Sequence, residues 1–267
     1  RLLTVIEDTV LKETFPHMLI PHYIWINSSG VVQGITSSDD VTADNISSAV
    51  TNSKKITLGY KKDINTNYPL FLSDDAPTDN LNHYSIFLKG KINGLPSANR
   101  YRKKDSITYG RAMTNTTLLS MFIIAGSQVV PDFTINRMIL DVEDSTGLIL
   151  NEARIGKTEW YKNNSYTYEL IVPVNQSKSL YTYMLEDLNR YSPYSVKVEK
   201  RKVNCLILNQ TNSFFEKLNS SDANSGQKAS VLDIMNKLNR LNSKVPILNE
   251  TFYRGKIPIN LTELPGD

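Results

Sequence analysis

Residues 15–35, FPHMLIPHYIWINSSGVVQGI, restrict the fold more than any other part of the chain. Two proline–histidine pairs lead into an apolar run at 23–26, and a second apolar run at 31–35 follows the polar turn at 27–30. Two short apolar runs joined by a glycine-containing turn are typical of a β-hairpin. Residues 41–50 then favour a helix with one apolar face.

The composition limits the class of protein. The chain has 267 residues, 40% hydrophobic and 21% charged, which is enough apolar material for one large domain or two ordinary ones. Its net charge of +3 is too small to indicate a nucleic-acid partner. No apolar run approaches the ~18 residues of a membrane-spanning helix. The single cysteine, Cys205, excludes an internal disulfide or a CxxC redox pair within the chain.

The character of the sequence changes after residue 50 and again after residue 80. Residues 51–80 are polar, rich in Asn, Lys and Asp, and without a sustained period. They are predicted to form a linker or an extended strap, fixed to an apolar surface by residues 68–72. The predicted domains are therefore 1–50, this connecting segment at 51–80, and 81–267.

Residues 81–267 show a pattern of helix, strand and strand three times. This pattern predicts an α+β fold in which helices pack on a mainly antiparallel sheet. The first predicted unit is a helix capped by Asn115 or Thr116, followed by a strand at 136–142. The second is a helix at 180–191, ended by Ser192-Pro193, followed by a hairpin at 196–207. The third is a helix followed by strands at 245–248 and 256–261, and the apolar stripe of this helix consists of Val231, Ile234, Met235, Leu238 and Leu241.

The residues that could carry chemistry do not form a catalytic pattern. His17 and His22 are five residues apart without an acidic or cysteine partner at metal-ligand spacing, so ordinary loop histidines are expected. His83 is expected at a surface or rim. The sequence has no glycine-flanked nucleophile elbow and no glycine-rich phosphate loop in a strand–helix context. No catalytic residue, metal or cofactor is therefore expected in this chain.

Cys205 alternates with Val203 and Ile207, which predicts a small apolar residue pointing into the core. A reactive thiolate would need an exposed, electropositive setting. The sequence therefore favours a structural cysteine.

Tyrosine is frequent, with 14 residues, several of them near the second predicted unit. A candidate binding surface consists of Tyr166, Tyr168, Tyr183 and Tyr191, because each ring combines an apolar face with a polar tip. The same rings would also suit a seam between helices and sheet, and the sequence favours that interpretation.

The stretch LIPHYIWINSSGVVQGI resembles the second half of a thioredoxin-like domain of the TlpA type. In that family a cis-proline precedes a core strand, a glycine turn, the last strand and the final helix. Pro21 matches the cis-proline, Gly30 the turn glycine and residues 41–50 the final helix, although His22 replaces the common threonine. The resemblance implies that Ile20, Pro21 and His22 dock substrate. The family's CxxC centre is expected upstream of residue 1.

The remainder resembles an uncharacterised bacterial domain family first noted in soil organisms. The resemblance rests on TNTTLLSMFIIAG, LYTYMLEDLNRYSPYSVKVEKRKVNCLIL and KVPILNETFYRGKIPINL, in that order. In some cell-envelope proteins this domain follows a TlpA-like thioredoxin domain. The match implies an envelope or periplasmic location and supplies no chemistry.

Together the two resemblances imply the C-terminal portion of a bacterial cell-envelope thiol–disulfide oxidoreductase. Without a CxxC pair the chain is expected to be inactive alone, and its accessory domain is expected to bind a protein, either a redox partner or another envelope protein. The alternative is a protein- or glycan-binding module without a redox role. The incomplete N-terminal segment is expected either to pack onto the second domain or to mediate self-association, because half a sheet leaves an unpaired strand edge and an uncovered apolar face.

Overall fold

The computed structural model describes residues 6–51, 58–73, 75–131, 133–211, 228–241 and 245–259. The chain divides into two compact units, one of residues 1–121 and 146–180, the other of residues 122–145 and 181–267. The boundaries predicted after residues 50 and 80 both fall inside the first unit. The assignment of these segments to separate domain families stays a prediction.

The described residues form short helices and mostly antiparallel strands, which confirms the α+β class. The helices are α1 (Val10–Thr14), α2 (Ala43–Thr51), α3 (Leu118–Val129), α4 (Lys157–Asn164), α5 (Leu180–Tyr191) and α6 (Val231–Leu241). The strands are β1 (Tyr23–Ile26), β2 (Val32–Thr36), β3 (Tyr84–Lys89), β4 (Ala98–Lys104), β5 (Ile107–Thr117), β6 (Ser165–Ile171), β7 (Leu206–Leu208), β8 (Lys228–Ser230), β9 (Ile247–Asn249) and β10 (Lys256–Pro258).

The first unit is built on a four-stranded antiparallel sheet with the order β3-β6-β5-β4. Its central strand β5 is interrupted near Asn115, which has a positive φ of 46°. The Asn115 side chain binds the N–H of Ile92 and the carbonyls of Ile92 and Leu95, so it holds the β3–β4 connection. The prediction of Asn115 or Thr116 as a helix cap is therefore wrong. Thr117 accepts from Ser120 N–H, as an N-cap side chain does.

Residues 58–73, here called the strap, cross the sheet on the face that carries Ala112 and Glu169. Leu70 is fully buried and packs with Leu95 and Ala112. Tyr68 and Phe71 are 61% and 44% exposed, so Leu70 is the apolar anchor among residues 68–72. The strap therefore forms part of the core on this face of the sheet.

A buried ion pair fixes the strap to two strands. Arg102 of β4 donates through Nε to Glu169 of β6 at 2.6 Å, and Glu169 is completely buried. The other two guanidinium nitrogens of Arg102 donate to strap carbonyls at 2.7–2.8 Å, and Glu169 accepts from the backbone N–H of Leu70 at 2.6 Å. Gly110 of β5 lies opposite Arg102 of β4, on the strand between the two charged residues. A Cβ atom at this position would come within 3.0 Å of the Arg102 side chain. The glycine lets Arg102 cross the sheet to reach Glu169.

The second unit contains α5, α6 and two small sheets, an antiparallel pair β8–β10 and a parallel pair β7–β9. The helix predicted at 180–191 is confirmed, with Met184 and Leu188 fully buried. The α6 helix is also confirmed, and Ser230 and Asp233 form a capping box at its start. The buried Asn239 of α6 accepts from Ile247 N–H, which connects α6 to β9.

Two predicted strand segments are wrong. Residues 136–142 contain a 3₁₀ turn and irregular backbone, and the Asn136 side chain donates to the carbonyl of Asn239 at 2.8 Å. In the predicted hairpin at 196–207 only residues 206 and 207 are in a strand. Both backbone groups of Val196 bind the Asn189 side chain at the end of α5, so they are not available for strand pairing. The helix–strand–strand repeat is not formed as predicted in these two places.

Candidate docking site on the N-terminal hairpin

The hairpin predicted from residues 15–35 is present as β1 and β2, joined by a turn at 27–30. Asn27 organises the turn, because its side-chain oxygen accepts from the N–H groups of Ser29 and Val31 at 3.0 and 2.8 Å. Gly30 has a φ of 78°, which glycine adopts without steric cost. Across the strands, Trp25 Nε1 donates to the hydroxyl of the buried Thr36 at 2.9 Å. The sequence is thus locally consistent with a tight two-stranded hairpin.

One edge of this hairpin is open among the described residues. Strand β2 meets the strap through a parallel bridge between Ile35 and Tyr60, whereas β1 pairs with β2 only, as far as the described ranges extend. Apolar side chains along β1 are exposed, with Tyr23 at 42% and Ile26 at 54%. The preceding Ile20 is 84% exposed. An edge strand with exposed apolar side chains is a template for pairing with another chain.

The open edge also lacks charged residues. No Asp, Glu, Lys or Arg occurs in residues 14–38. Strand β4, an edge strand of the central sheet, has the sequence ANRYRKK, with four basic residues in seven positions. Lys and Arg on an edge strand discourage pairing with another chain, and β1 lacks this protection. Within the first unit, the β4 edge therefore carries basic residues that discourage pairing, whereas the β1 edge carries no charged residue.

The residues predicted to dock substrate lie directly before this strand. The Ile20–Pro21 peptide bond is cis, the configuration that the resemblance implies for this position. Ile20 and Pro21 are exposed, and His22 is half-buried. Their role in docking stays a prediction.

The two loop histidines stack on each other, with ring centroids 4.5 Å apart and an interplanar angle of 13°. Neither ring nitrogen of His22 has a hydrogen-bond partner among the described residues. Burial, followed by the charges of His17 and Lys61, lowers the pKa of His22, while Asp63 opposes this effect. No group of three or more potential His, Cys, Asp or Glu metal ligands occurs within the described ranges. The two rings therefore lie against each other in the loop that leads into β1.

Asp63 of the strap fixes the loop before the cis bond. Its Oδ2 accepts from the N–H groups of Met18 and Leu19 at 2.6 and 2.8 Å. Lys61 lies 2.9 Å from Asp63 Oδ1 and donates to the carbonyl of Leu19. Burial raises the pKa of Asp63, but these contacts with Lys61, Met18 and Leu19 lower it by more, so the pKa lies below its usual value. The Lys61–Asp63 pair thus has a positioning role.

A pocket of about 300 Å³ opens beside this loop. It is lined by Pro16, His17, Met18, Tyr60, Lys61, Lys62 and Asp63. These described lining residues include no serine, threonine or cysteine that a histidine could activate for nucleophilic catalysis.

Lys61 and Asp63 are not identified by sequence reasoning, because both are part of a polar segment without a motif. The structure brings them to the loop through the bridge at Tyr60. The only available signal is the position of the strap directly after the hairpin and helix.

The four candidate tyrosines differ in burial. Tyr166 and Tyr168 are 4% and 0% exposed on β6, where both contact the ring of Phe87. These two rings are therefore core residues of the first unit, and whether they form a seam between helices and sheet stays a prediction. Tyr183 is half-buried on α5, and Tyr191 at its end is 62% exposed. The first pair belongs to the first unit and the second pair to the second unit.

Cys205 is half-buried in irregular backbone just before β7. Its predicted neighbours in an alternating strand, Val203 and Ile207, are 51% and 49% exposed. The prediction that this strand points its apolar side chains into a core is therefore wrong. The cause is the missing hairpin, since Val203 has no partner strand in the part of the chain that the structure describes.

Comparison of the chain with protein-family models, curated proteins and solved structures found no match. The resemblances to TlpA-type domains and to the soil-associated family therefore stay predictions from sequence motifs.

None of the helices in the described ranges combines the length and the apolar character that crossing a bilayer requires.

Proposed function

We propose that this chain is a protein-binding module that takes an extended segment of a partner along the outer edge of β1. The observation that carries the proposal is the uncharged β1 edge, which no further strand covers among the described residues and beside which Ile20, Tyr23 and Ile26 are exposed. An extended peptide that adds to a sheet edge gains main-chain hydrogen bonds, and exposed side chains on the edge supply specificity.

The contacts between the strap and the loop before β1 favour this role. Asp63 accepts from the N–H groups of residues 18 and 19, and Lys61 donates to the carbonyl of residue 19. The stacked rings of His17 and His22 flank this segment in the sequence. A pre-organised edge binds with a smaller loss of conformational entropy than a mobile one.

In the fuller form of the proposal, the partner is a protein that exchanges disulfides with the parent of this chain, a bacterial cell-envelope oxidoreductase. The TlpA-type motif around Pro21 supports this form, as does the expected docking role of Ile20 and His22. The chain itself carries one cysteine, so it has no second thiol with which to complete dithiol exchange. Binding is therefore the activity assigned to the chain alone.

A peptide library tests the docking edge directly. The probe is a phage-displayed library of 12-residue peptides, selected on the wild-type chain and resynthesised for titration. We expect uncharged peptides with alternating apolar residues. We expect Ile26→Lys to weaken their binding by about tenfold or more, because a lysine on the edge must be desolvated when a strand is added.

Val50→Lys is the matched control, since Val50 is 79% exposed at the end of α2 and lies away from the edge strand in sequence. Its affinity for the selected peptides should equal that of wild type. Equal binding to the Ile26→Lys and wild-type chains would contradict the proposal.

A further inference from the structure

Residues 197–205, here called the basic segment, connect α5 to β7. Before the segment, both backbone groups of Val196 bind the Asn189 side chain of α5. After it, the N–H of Leu206 donates to the Pro246 carbonyl at 3.0 Å. Between these two points no backbone–backbone hydrogen bond occurs within the described part of the chain. The described contacts therefore fix the basic segment at its two ends.

The basic segment is accessible along almost its whole length. Residues 197–204 are all exposed, and even the apolar Val203 is 51% exposed. The described ion pairs of the segment join Glu199 to Lys197 and to Arg201, so they lie within the segment. Ion pairs between exposed side chains contribute little to stability. They leave the backbone groups of the segment free for a partner.

The chain contains two runs of three basic residues, at 102–104 and at 200–202, and the structure separates them. In the first run every residue is paired with a residue of β5, and the Arg102 side chain is buried. The second run lies in the basic segment, where all three side chains are exposed and the backbone is unpaired among the described residues. Two similar sequences therefore have opposite accessibility.

An exposed segment with free backbone groups and consecutive basic side chains has the properties of a protease substrate. Exposed loops are the preferred sites of proteolytic cleavage. An extended peptide is recognised through main-chain hydrogen bonds, while pockets for its side chains give specificity. An acidic residue in such a pocket selects lysine or arginine. Residues 102–104 do not meet these conditions, because their strand would first have to leave the sheet.

Lys200-Arg201 is the only Lys-Arg pair in the chain. We propose that the basic segment is a processing site for an endoprotease that recognises these two consecutive basic side chains in acidic pockets. The enzyme hydrolyses the peptide bond between Arg201 and Lys202. Water supplies the hydroxyl group to the Arg201 carbonyl carbon and a proton to the departing Lys202 amine, so the step needs no oxidant or cofactor.

Cleavage at this position acts on the second unit. All residues of the first unit, 1–121 and 146–180, precede the cut. The candidate docking edge therefore stays in the N-terminal product, and the inference is independent of the proposed function. The cut separates α5 from β7, which both belong to the second unit.

The probe is a kexin-type endoprotease, which cleaves after consecutive basic residues, added in small amounts to the folded full chain. Intact mass measured over time identifies the first cut. We expect the first products to be residues 1–201 and 202–267. Arg201→Gln should slow their formation by about tenfold or more, because the acidic pocket then lacks its cation.

Lys103→Gln is the matched control, since Lys103 is exposed and belongs to the other basic run. It should leave both the position and the rate of the first cut unchanged. Arg201 is exposed, so Arg201→Gln should melt at the wild-type temperature, which shows that a slower cut does not reflect a change in folding.

A first cut after Arg201 that Arg201→Gln slows and Lys103→Gln does not supports the processing site. The proposal is overturned if the first cut falls outside residues 200–202. It is also overturned if the folded wild-type chain resists the protease, or if Arg201→Gln is cleaved there at the wild-type rate.

Discussion

At the residue scale, two ion pairs connect the strap to the rest of the first unit. Arg102–Glu169 is buried against the sheet, and Lys61–Asp63 holds the loop before the hairpin. In both pairs the charged atoms also bind backbone groups, so each pair determines the path of the chain as well as its own position. Burial makes the removal of one partner costly.

Glu169→Gln should lower the free energy of unfolding by about 3 kcal/mol or more, because Arg102 would keep a buried charge without its counter-charge. The measurement is urea unfolding monitored by circular dichroism. Replacing both residues, as Arg102→Met with Glu169→Leu, should cost less than Glu169→Gln alone. A change below ~1 kcal/mol for Glu169→Gln would show that the pair contributes little.

Asp63 should make the stability depend on pH in the acid range. Folding lowers its pKa, so its ionised form stabilises the folded state above its unfolded pKa of ~3.9, and this contribution is lost as the pH falls through the lower folded value. We therefore expect Asp63→Asn to be less stable than wild type at pH 6 and the difference to shrink by pH 3. Unfolding curves at both pH values measure it.

Asp79→Asn, which changes an exposed carboxyl, is the control for the loss of one negative charge. Its difference from wild type should stay small at both pH values. A difference for Asp63→Asn that is the same at pH 6 and pH 3 would contradict the assigned role of the carboxylate.

At the element scale, the strap decides how the N-terminal hairpin joins the sheet. It bridges β2 at Tyr60, donates from the Ile64 N–H to the Gly94 carbonyl at 2.9 Å, and places Leu70 in the core. Gly94 has a φ of 87°, and a Cβ atom there would lie 2.0 Å from the carbonyl oxygen of Lys62. The close approach of the strap to the β3–β4 connection therefore requires glycine.

Gly94→Ala should be markedly destabilising, by roughly 2–4 kcal/mol, since it combines an unfavourable positive φ with a collision against backbone. Gly30→Ala is the matched control, because Gly30 also has a positive φ, of 78°, but its added Cβ would meet none of the described residues within 4 Å. Urea unfolding of both variants separates the two effects. Equal losses would mean that the strap moves away from Gly94 without cost.

At the scale of the whole molecule, the chain forms two discontinuous units and passes between them three times: within α3, between residues 145 and 146, and at the start of α5. The single cysteine belongs to the second unit, and the candidate docking edge belongs to the first. Cys205 and the candidate docking edge therefore belong to different units of the chain.

We expect the chain to reduce insulin disulfides in the presence of dithiothreitol no faster than dithiothreitol alone, because one thiol cannot complete dithiol exchange. Turbidity of the precipitating insulin chains is the measurement. The Cys205→Ser variant should give the same rate as wild type. A wild-type rate above both references would assign redox activity to Cys205.

Elements with local signals are the ones that sequence reasoning predicts correctly. The hairpin depends on two apolar runs and the Asn27–Gly30 turn, and α5 and α6 depend on apolar residues at helical spacing. The central sheet has no such signal, since β4 is basic and β5 runs into α3 without a break. Its strands are identified by their pairing with one another, and pairing is not visible in a single segment.

Local patterns and residue counts were sufficient for the α+β class, the hairpin, the amphipathic helices and the lack of a dithiol, because periodicity, turn residues and cysteine number do not depend on distant contacts. Three-dimensional contacts were needed to show that Asp63 binds the loop before the hairpin and that Arg102 pairs with Glu169. The paired residues are separated by tens of positions in the chain. Their charges acquire a role only where strand pairing and burial bring them together and remove water from around them.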